Sequence, residues 1–558
     1  MRSIMTAEKL ILDYVYDKEA SLANTVYLTQ PIGGGASTDY TWSQVAGEAR
    51  RMAAHLQSLG LQRGDKIAIL SKNCAHFFMT ELAIWMGGFT TVAIFPTESA
   101  DTVRFVLDHS DAKLLFVGKL DTWSQQEPGV PADMPRIAFP LAPKTSFETW
   151  DAIVARTAPI EGRPARQPDE LAMLIYTSGS TGQPKGVMHN FGGVTRASEG
   201  IVARIGTNGE DRALSYLPLA HVFERAYVEC ASFVGGGHIY FAESLETFVA
   251  DLKRARPTIF ISVPRLWLKF QAGVFTKMPP KKLDFMLKIP ILGKIVAKKV
   301  LTGLGLDSVR LAGSGSAPIP AELISWYRRL GLNLLEGYAM SEDFAYSHIS
   351  SVEKNLPGYV GVPLPGVEVK ISDEGEVLIK SAGRMVGYYK RPDLDAESFT
   401  ADGFFRTGDK GERRLDGLLR LTGRIKELFK TSKGKYVAPA PIENRLNEHP
   451  LIEMSCVSGV GQPTAYALVV LAEDIRGKVN DPAEKQRIET ELAAWLKQVN
   501  SGLSNYEEMG MFVIVSQPWS IENGMLTPTM KIKRTRIEAD VAAKLDAWYA
   551  AKKPVIWG

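Results

Sequence analysis

The sequence has few cysteines and no long apolar run, and both absences narrow the classes of protein it can encode. Its three cysteines, Cys74, Cys230 and Cys456, lie far apart and form no CxxC pair. This spacing predicts neither a disulfide framework nor a zinc site, and it favours a reducing cytoplasm. No stretch of about 18 uninterrupted apolar residues marks a membrane span. The N-terminal segment mixes charged and apolar residues, unlike a secretory signal.

Neither sign of charge is in excess. The 65 lysines and arginines nearly balance the 62 aspartates and glutamates, which leaves a net charge of +3. Charge alone therefore gives no argument for a nucleic-acid partner, and any anionic ligand must be bound by a local cluster of cations. A chain of 558 residues with 45% apolar composition can bury a large core. We expect one large domain with a smaller one beside it.

Apolar periodicity predicts a layered α/β fold. From Thr41 onward, Val45, Ala49, Met52 and Leu56 share one helical face. Short apolar runs follow, KIAILS, TTVAIF and AKLLFV, and they are typical of buried parallel strands. In VEVKISDEGEVLIK the apolar residues alternate with period two, which predicts a small antiparallel sheet. The remaining block of about 130 residues is interpreted as a smaller α+β domain.

The segment YTSGSTGQPKG, which begins at Tyr176, follows the apolar run LAMLI and has the chemistry of a phosphate-binding loop. Its hydroxyls, its glycines and one lysine can all donate to phosphoryl oxygens. They are Ser178, Ser180, Thr181, Gly179, Gly182 and Lys185. The alternative is a flexible surface turn, which needs no such density of hydroxyls. The Walker pattern is not met, because Lys185 lies between Pro184 and Gly186.

This loop resembles the signature of the adenylate-forming superfamily, which includes acyl-CoA synthetases, adenylation domains and luciferases. LPLAHVFER and SVPRLW resemble its long-chain acyl-CoA synthetase branch in particular. GSGSAPIP, EGYAMSE, GFFRTGD, GRIKELFK and TPTMKIKR follow in the family's order, so the likeness spans most of the chain.

The resemblance implies a large N-terminal adenylation domain, residues 1–423, with wound α/β subdomains and a small β-subdomain. A smaller mobile α+β domain, residues 424–558, would follow it. It also implies a two-step reaction in which a fatty acid and ATP give acyl-AMP, and CoA then gives the thioester. ATP and CoA are the expected co-substrates and Mg²⁺ the expected cofactor.

The family's functional residues transfer to particular positions of this sequence. The expected catalytic residues are Lys531, Lys185, His221 and Glu342, and the expected metal ligands are Thr177 and Glu342. The resemblance implies that Tyr338 stacks on adenine and that His221 orients the reacting groups. The carboxylate of Asp409 can accept hydrogen bonds from two ribose hydroxyls, and the letters TGD favour a β-turn that would expose it. Lys426 is the expected hinge. The expected nucleotide contacts are Thr177, Ser178, Gly179, Ser180, Thr181, Gly182, Lys185, Gly315, Ser316, Ala317, Glu336, Gly337, Tyr338, Ser341, Asp409, Arg424 and Lys430.

Two positions depart from the family pattern. Ala339 stands where the family usually has glycine, and Ser341 stands where it usually has threonine. Serine keeps the hydroxyl, so the phosphate contact is expected to survive. Alanine adds a methyl group near the bound ligand, which bears on the acyl range more than on the reaction.

Several alternatives stay open at this point. The acyl acceptor can be a carrier protein instead of CoA, the acid can be aryl or branched, and a non-catalytic nucleotide-binding homologue is a further alternative. Residues 277–299 carry seven lysines among apolar residues, which fits either a membrane-surface element or a basic helix pair packed on the main domain. We expect a cytoplasmic protein with no nucleic-acid partner. The acyl chain length and the oligomeric state are not readable from the sequence.

Overall fold

A computed structural model describes residues 9–178 and 183–558, with only the backbone of Ser178 included. The predictions for Gly179, Ser180, Thr181 and Gly182 therefore lie outside the described residues, as does the prediction for the Ser178 side chain. In these two ranges no helix is both long enough and apolar enough to cross a bilayer.

Helices and strands alternate through most of the described chain. The helices are α1 (Ile11–Ser21), α2 (Trp42–Ser58), α3 (Ala75–Gly87), α4 (Ala100–Ser110), α5 (Trp123–Gln126), α6 (Trp150–Arg156), α7 (Phe191–Ile205), α8 (Val222–Glu224), α9 (Ala231–Gly235), α10 (Phe248–Ala255), α11 (Pro264–Lys277), α12 (Pro280–Leu287), α13 (Pro290–Leu304), α14 (Ala321–Arg329), α15 (Pro392–Ser398), α16 (Pro439–Leu446), α17 (Glu473–Arg476), α18 (Pro482–Asn500), α19 (Arg534–Val541) and α20 (Leu545–Ala551).

The strands are β1 (Val26–Gly33), β2 (Ala36–Thr41), β3 (Lys66–Leu70), β4 (Thr90–Ile94), β5 (Leu114–Val117), β6 (Arg136–Ala138), β7 (Glu148–Thr149), β8 (Leu171–Ser178), β9 (Pro184–Asn190), β10 (Arg212–Ser215), β11 (His238–Phe241), β12 (Ile259–Ser262), β13 (Leu311–Ser314), β14 (Leu334–Tyr338), β15 (His348–Ile349), β16 (Val362–Pro363), β17 (Glu368–Ile371), β18 (Glu376–Lys380), β19 (Gly387–Tyr388), β20 (Phe405–Arg413), β21 (Leu419–Arg424), β22 (Phe429–Lys430), β23 (Tyr436–Val437), β24 (Ile452–Ser458), β25 (Ala465–Leu471), β26 (Met509–Ile514) and β27 (Val555–Trp557).

The largest sheet has the order β19-β9-β8-β4-β3-β5-β6-β7. Its strands β3, β4 and β5 are the three apolar runs that the sequence predicted, and they pair in parallel. Helix α2 begins after Thr41, whose hydroxyl accepts a hydrogen bond from the Gln44 backbone N–H and caps the helix. Both sequence-based predictions are confirmed. They could be made from the sequence because buried parallel strands and amphipathic helices have distinct apolar periods.

Smaller sheets complete the fold. One has the order β10-β11-β1-β2, and a second, β12-β13-β14-β15-β16, begins with three parallel strands. The predicted antiparallel hairpin is confirmed as β17 and β18, which belong to the sheet β17-β18-β20-β21. Strands β24-β25-β26-β27 form a further sheet near the C-terminus, with α16 and α18 packed on it. The fold is therefore mixed α/β, as expected.

The segment after β21 contacts the preceding part of the chain through an ion pair and through the packing of α16 on β21. Arg265 of α11 forms an ion pair with Glu453 of β24. A short 3-10 helix, Ile425–Glu427, follows β21, and Arg534 lies 3.7 Å from Glu427 and 2.7 Å from Glu443. The Arg534 contacts lie within the C-terminal segment, and the division at residue 423 stays a prediction.

Candidate active site

The parallel strands β12, β13 and β14 end at one edge of their sheet, and the glycine-rich segment after β13 lies there. The Gly315 backbone N–H donates to the Ser262 carbonyl oxygen at 3.2 Å. A Cβ atom at Gly315 would lie 3.2 Å from the Phe223 ring, closer than most real contacts. Ser316 has a φ of 68°, a left-handed conformation that is uncommon outside glycine and often occurs at functional sites. The backbone after β13 can therefore pass this close to the Phe223 ring because residue 315 is glycine.

Tyr338, Asp409 and Arg424 form a hydrogen-bonded group. The Tyr338 hydroxyl donates to Asp409 Oδ2 at 2.6 Å, and Arg424 Nε donates to Asp409 Oδ1 at 3.0 Å. Strands β20 and β21 pair Asp409 directly with Arg424, so the register of the hairpin fixes this ion pair. The expectation that Asp409 lies in an exposed β-turn is wrong. Asp409 is inside β20 and is only 7% exposed, because the TGD segment continues the strand beyond Gly408.

Glu342 lies in a 3-10 turn, Ser341–Asp343, that other side chains hold in place. The Tyr388 hydroxyl donates to Glu342 Oε1 at 2.7 Å. His189 Nε2 lies 2.8 Å from the Ser341 carbonyl oxygen, so this nitrogen must carry the proton. Burial lowers the pKa of His189 to about 4, so the ring is neutral near pH 7. The turn is therefore anchored from two sides.

Asp343 also holds this turn. Its Oδ1 accepts hydrogen bonds from the backbone N–H groups of Met340 and Tyr346 at 3.0 and 3.2 Å. Burial, with a smaller contribution from Glu342, raises the pKa of Asp343 to about 8. Sequence reasoning missed Tyr388 and His189, since no local pattern connects them to residues that are far apart in the chain. It also missed Asp343, although this residue directly follows Glu342 and an acidic residue in a short turn was a usable signal.

Lys185 and Thr177 lie opposite each other in the antiparallel pair of β8 and β9. Directly opposed residues project to the same face of a sheet. Lys185 Nζ lies 5.2 Å from the centre of the Tyr388 ring, so Lys185 is near the side chain that contacts Glu342. The structure therefore brings Lys185, at one end of the predicted phosphate loop, near the side chain that contacts Glu342, and it pairs Thr177 with Lys185 across the two strands.

His221 caps the short helix α8. Its Nδ1 accepts a hydrogen bond from the Phe223 backbone N–H at 3.2 Å, which leaves the proton of the neutral ring on Nε2. Burial, and secondarily the nearby charge of Lys531, lowers the pKa of His221 to about 3. A neutral, fixed imidazole suits the orienting role that the resemblance implies, and it does not suit a cationic one.

Lys531 brings the C-terminal segment to this site. Its backbone N–H donates to Thr527 Oγ1 at 3.1 Å, and Met530 before it has a φ of 62°. The side chain is accessible to solvent, yet protein surrounds it at longer range. This environment, followed by the charge of Arg424, lowers the pKa of Lys531 to about 8, although Asp409 and Glu342 act in the opposite direction. Lys531 is thus electrostatically coupled to Arg424, Asp409 and Glu342.

The remaining predicted site residues make no direct side-chain contact with Glu342, Asp409 or Lys531 among the contacts described above. Glu336 is buried beside Tyr338 in β14, and burial raises its pKa to about 7. Gly337 lies between them, and Ala317 follows Ser316 at the strand edge. Lys426 is exposed in the 3-10 helix after Arg424. Lys430 Nζ lies 4.4 Å from the centre of the Tyr436 ring, which is its contact within its own small hairpin.

The site fits a magnesium ion by the chemistry of its donors. Glu342 offers a carboxylate and Thr177 a hydroxyl, and Mg²⁺ prefers such oxygen ligands. Among the described residues, no group of three or more His, Cys, Asp or Glu side chains is placed to hold a metal. Mg²⁺ needs no such group when nucleotide phosphates supply further ligands.

Comparisons with known proteins identify the family of this chain. Residues 18–389 match the family model of the AMP-binding enzyme, and residues 427–553 match that of the AMP-binding enzyme C-terminal domain. The chain is 32% identical to the long-chain-fatty-acid–CoA ligase FadD15 of Mycobacterium bovis, over 92% of this chain and 93% of the relative. It is 27% identical to fatty acyl-CoA synthetase A of Dictyostelium discoideum, over 95% of this chain and 89% of the relative.

A solved structure shares the fold. The adenylation domain of carboxylic acid reductase from Segniliparus rugosus, in complex with AMP and a carboxylic acid, superposes with a TM-score of 0.80. The match covers 98% of this chain and 95% of that one at 22% identity. From the family models and the 32% identical relative, the chain belongs to the AMP-binding enzyme family.

Proposed function

We propose that the protein is an ATP-dependent long-chain fatty acid:CoA ligase that forms AMP. Its relatives in two organisms carry that activity in their names, as long-chain-fatty-acid–CoA ligase and fatty acyl-CoA synthetase. The observation that carries the proposal is that Asp409 and Arg424 form an ion pair and that their charges, with that of Glu342, act on Lys531. Two cations that can neutralise phosphate charge, with two carboxylates that can bind the ribose and a metal ion, suit a reaction between a carboxylate and the phosphates of ATP.

The first step joins two anions. A carboxylate oxygen of the fatty acid attacks the α-phosphorus of ATP, the bond to the β-phosphate oxygen breaks, and pyrophosphate leaves. Lys531 and Lys185 would donate hydrogen bonds to the charged oxygens of this transition state. Glu342 and Thr177 would hold Mg²⁺, which neutralises phosphate charge when it is bound. Asp409 would accept the ribose hydroxyls and Tyr338 would stack on adenine.

In the second step the CoA sulfur attacks the acyl carbon, the mixed anhydride bond breaks, and AMP leaves with the electron pair. The thiol proton passes to solvent or buffer, since the pKa of His221, about 3, makes it a poor base. We propose that residues 424–558 reorient about Lys426 between the steps, so that one site serves both. We also propose a cytoplasmic protein with peripheral membrane contact.

Three alternative functions make different predictions. A carrier protein can replace CoA as the acceptor, and an aryl or branched acid can replace the fatty acid. A non-catalytic homologue would bind nucleotide without turnover. The presence of Lys185, Glu342, Asp409, Arg424 and Lys531 at the family's motif positions argues against the last.

The deciding experiment measures pyrophosphate and AMP from purified protein with ATP and Mg²⁺, across saturated fatty acids of increasing length, with and without CoA. Affinity should rise by about 0.8 kcal/mol per buried methylene until the acyl pocket ends. CoA-dependent AMP formation that peaks at one chain length supports the ligase. Pyrophosphate release without a thioester would point to a different acceptor, and no turnover with any acid would overturn the proposal.

A further inference from the structure

The helices α12 and α13 expose more large apolar surface than a packed helix pair requires. Phe285 is 67% exposed, Ile291 78% and Ile295 60%. The same helices bury Leu283, Val296 and Ala297 in the core, so they are anchored to the protein. Because Ile291 and Ile295 are four residues apart, they lie on one face of α13. We call Phe285, Ile291 and Ile295 the apolar ridge.

Positive charge surrounds the apolar ridge. Residues 277–299 contain seven lysines, all of them exposed, and one acidic residue, Asp284, which lies 3.5 Å from Arg329. Lys294 and Lys298 flank the ridge on α13, and within the described chain neither lies within 4.0 Å of a carboxylate oxygen. An unpaired cationic rim around exposed aliphatic and aromatic side chains is typical of an interfacial helix.

The positive surface continues into a shallow groove between α10 and α13. Lys253, Arg256, Lys298 and Lys299 line it together with Ile295, and its volume is about 810 Å³. Its acidic residue, Asp307, lies 3.5 Å from Arg256. The groove therefore offers cations to an anionic group directly beside an apolar ridge residue.

Helix α11 connects this surface with the active site. It begins at Pro264, two residues after Ser262, whose carbonyl accepts the hydrogen bond from Gly315. It ends at Lys277, where the basic segment starts. Its 14 residues span about 21 Å at the usual helical rise.

We propose that α12 and α13 dock the protein on an anionic lipid surface. The apolar ridge inserts among the acyl chains near the headgroups, and the lysines and the groove face lipid phosphates. A second copy of this chain is a poorer occupant, because a two-fold contact would place these lysines against their own counterparts. An anionic membrane matches both the apolar and the cationic part of the surface.

The test is sedimentation of the whole protein with vesicles of phosphatidylglycerol and phosphatidylcholine, and with vesicles of phosphatidylcholine alone, at low and high salt. The wild-type protein is expected to bind the anionic vesicles at low salt and to release them at high salt, since salt screens exposed charges. Failure to bind anionic vesicles at low salt overturns the proposal.

Two triple variants separate the contributions. Lys294→Gln with Lys298→Gln and Lys299→Gln should weaken partitioning at least about 100-fold, given the usual contribution of each lysine near such a surface. Phe285→Ser with Ile291→Ser and Ile295→Ser should weaken it at least about tenfold. The matched controls alter equally exposed positions elsewhere and should stay within about twofold of wild type. They are Lys478→Gln with Lys497→Gln and Lys544→Gln, and Leu245→Ser with Val352→Ser and Val460→Ser.

Two further readouts keep the outcome clear. All variants should keep the wild-type melting temperature and the wild-type rate of pyrophosphate exchange with a soluble short-chain acid, because none of the altered residues lies in the nucleotide site. Equal loss of binding in the control variants overturns the assignment to α12 and α13. So does a dimer in solution that the apolar triple variant dissociates, since the ridge would then be a contact between copies. If the wild-type protein shows no ligase activity, the proposed function fails, but vesicle binding still tests the docking surface on its own.

Discussion

Lys531 offers the sharpest test of the proposed mechanism, because its charge state follows from its surroundings. The surrounding protein, followed by the charge of Arg424, lowers its pKa to about 8. At pH 7 about nine-tenths of the free enzyme then carries the ammonium, and at pH 9 only about one-tenth does. The charged form is the one that can donate to a phosphate. The kcat/KM for ATP in the adenylation step is therefore expected to fall as pH rises through about 8, since kcat/KM reports the free enzyme.

Removing the side chain tests the same point at fixed pH. Lys531→Ala removes a charged donor to the transition state, which is expected to lower the adenylation rate by about 10²–10³-fold, or about 2.7–4 kcal/mol. Transfer to CoA from supplied acyl-AMP should stay near the wild-type rate, because the phosphate has already reacted. Lys531→Arg keeps a cation that does not titrate in this range. The arginine variant should be less active than wild type, and its activity should not fall above pH 8.

The assays are pyrophosphate exchange for the first step and thioester formation from synthetic acyl-AMP for the second. Lys533→Ala is the matched control, because this lysine is two positions away and exposed. If Lys531→Ala slows both steps equally, or if the arginine variant keeps the wild-type pH profile, the assignment of Lys531 to the first step is refuted.

Three further perturbations test other parts of the structure. Arg225 lies buried between Glu81 and Glu229, so Arg225→Ala should lower the free energy of unfolding in urea by about 3–5 kcal/mol, against about 0–1 kcal/mol for the exposed Arg163→Ala. Part of that loss should be recovered as pH falls, because burial already raises the pKa of Glu81 to about 7 and protonation removes its unpaired charge; a pH-independent loss would contradict this. Asp409→Asn should raise the KM for ATP about tenfold or more, with little change in the KM for CoA, and an unchanged KM for ATP would argue against ribose binding. Arg265→Ala removes the ion pair with Glu453. Pyrophosphate exchange should therefore slow, while thioester formation from acyl-AMP should keep the wild-type rate. If the variant changes both rates by the same factor, this ion pair does not hold the C-terminal segment in the arrangement for adenylation.

Much of the fold follows from local signals in the sequence. Strands β3, β4 and β5 are continuous apolar runs because both of their faces are buried, and α2 begins at a threonine that caps it. The contacts within the active site could not be predicted in this way. Tyr388 meets Glu342 and His189 meets Ser341 only because distant strands pair, and no periodicity encodes such contacts.

Asp409 shows why local chemistry misleads at a site. The letters TGD favour a turn, yet β20 continues through them and pairs Asp409 with Arg424 across the hairpin. The buried group of Glu81, Arg225 and Glu229 was equally hidden, although charges within the apolar run around ERAYVEC were a usable signal. Sheet register places Asp409 opposite Arg424, and a buried ion pair joins Arg225 to the distant Glu81. A single sequence specifies both features only through the whole fold.

The electrostatics of the site suggest how nucleotide and domain arrangement are linked. Arg424 lowers the pKa of Lys531, which means that the two cations repel each other when no anion lies near them. The phosphates of ATP would remove this repulsion, so ATP binding favours the arrangement that brings Lys531 to the site. Once pyrophosphate leaves, most of the neutralising charge leaves with it, and the repulsion returns. We infer that product release itself favours withdrawal of Lys531, which would free the site for the thiol in the second step.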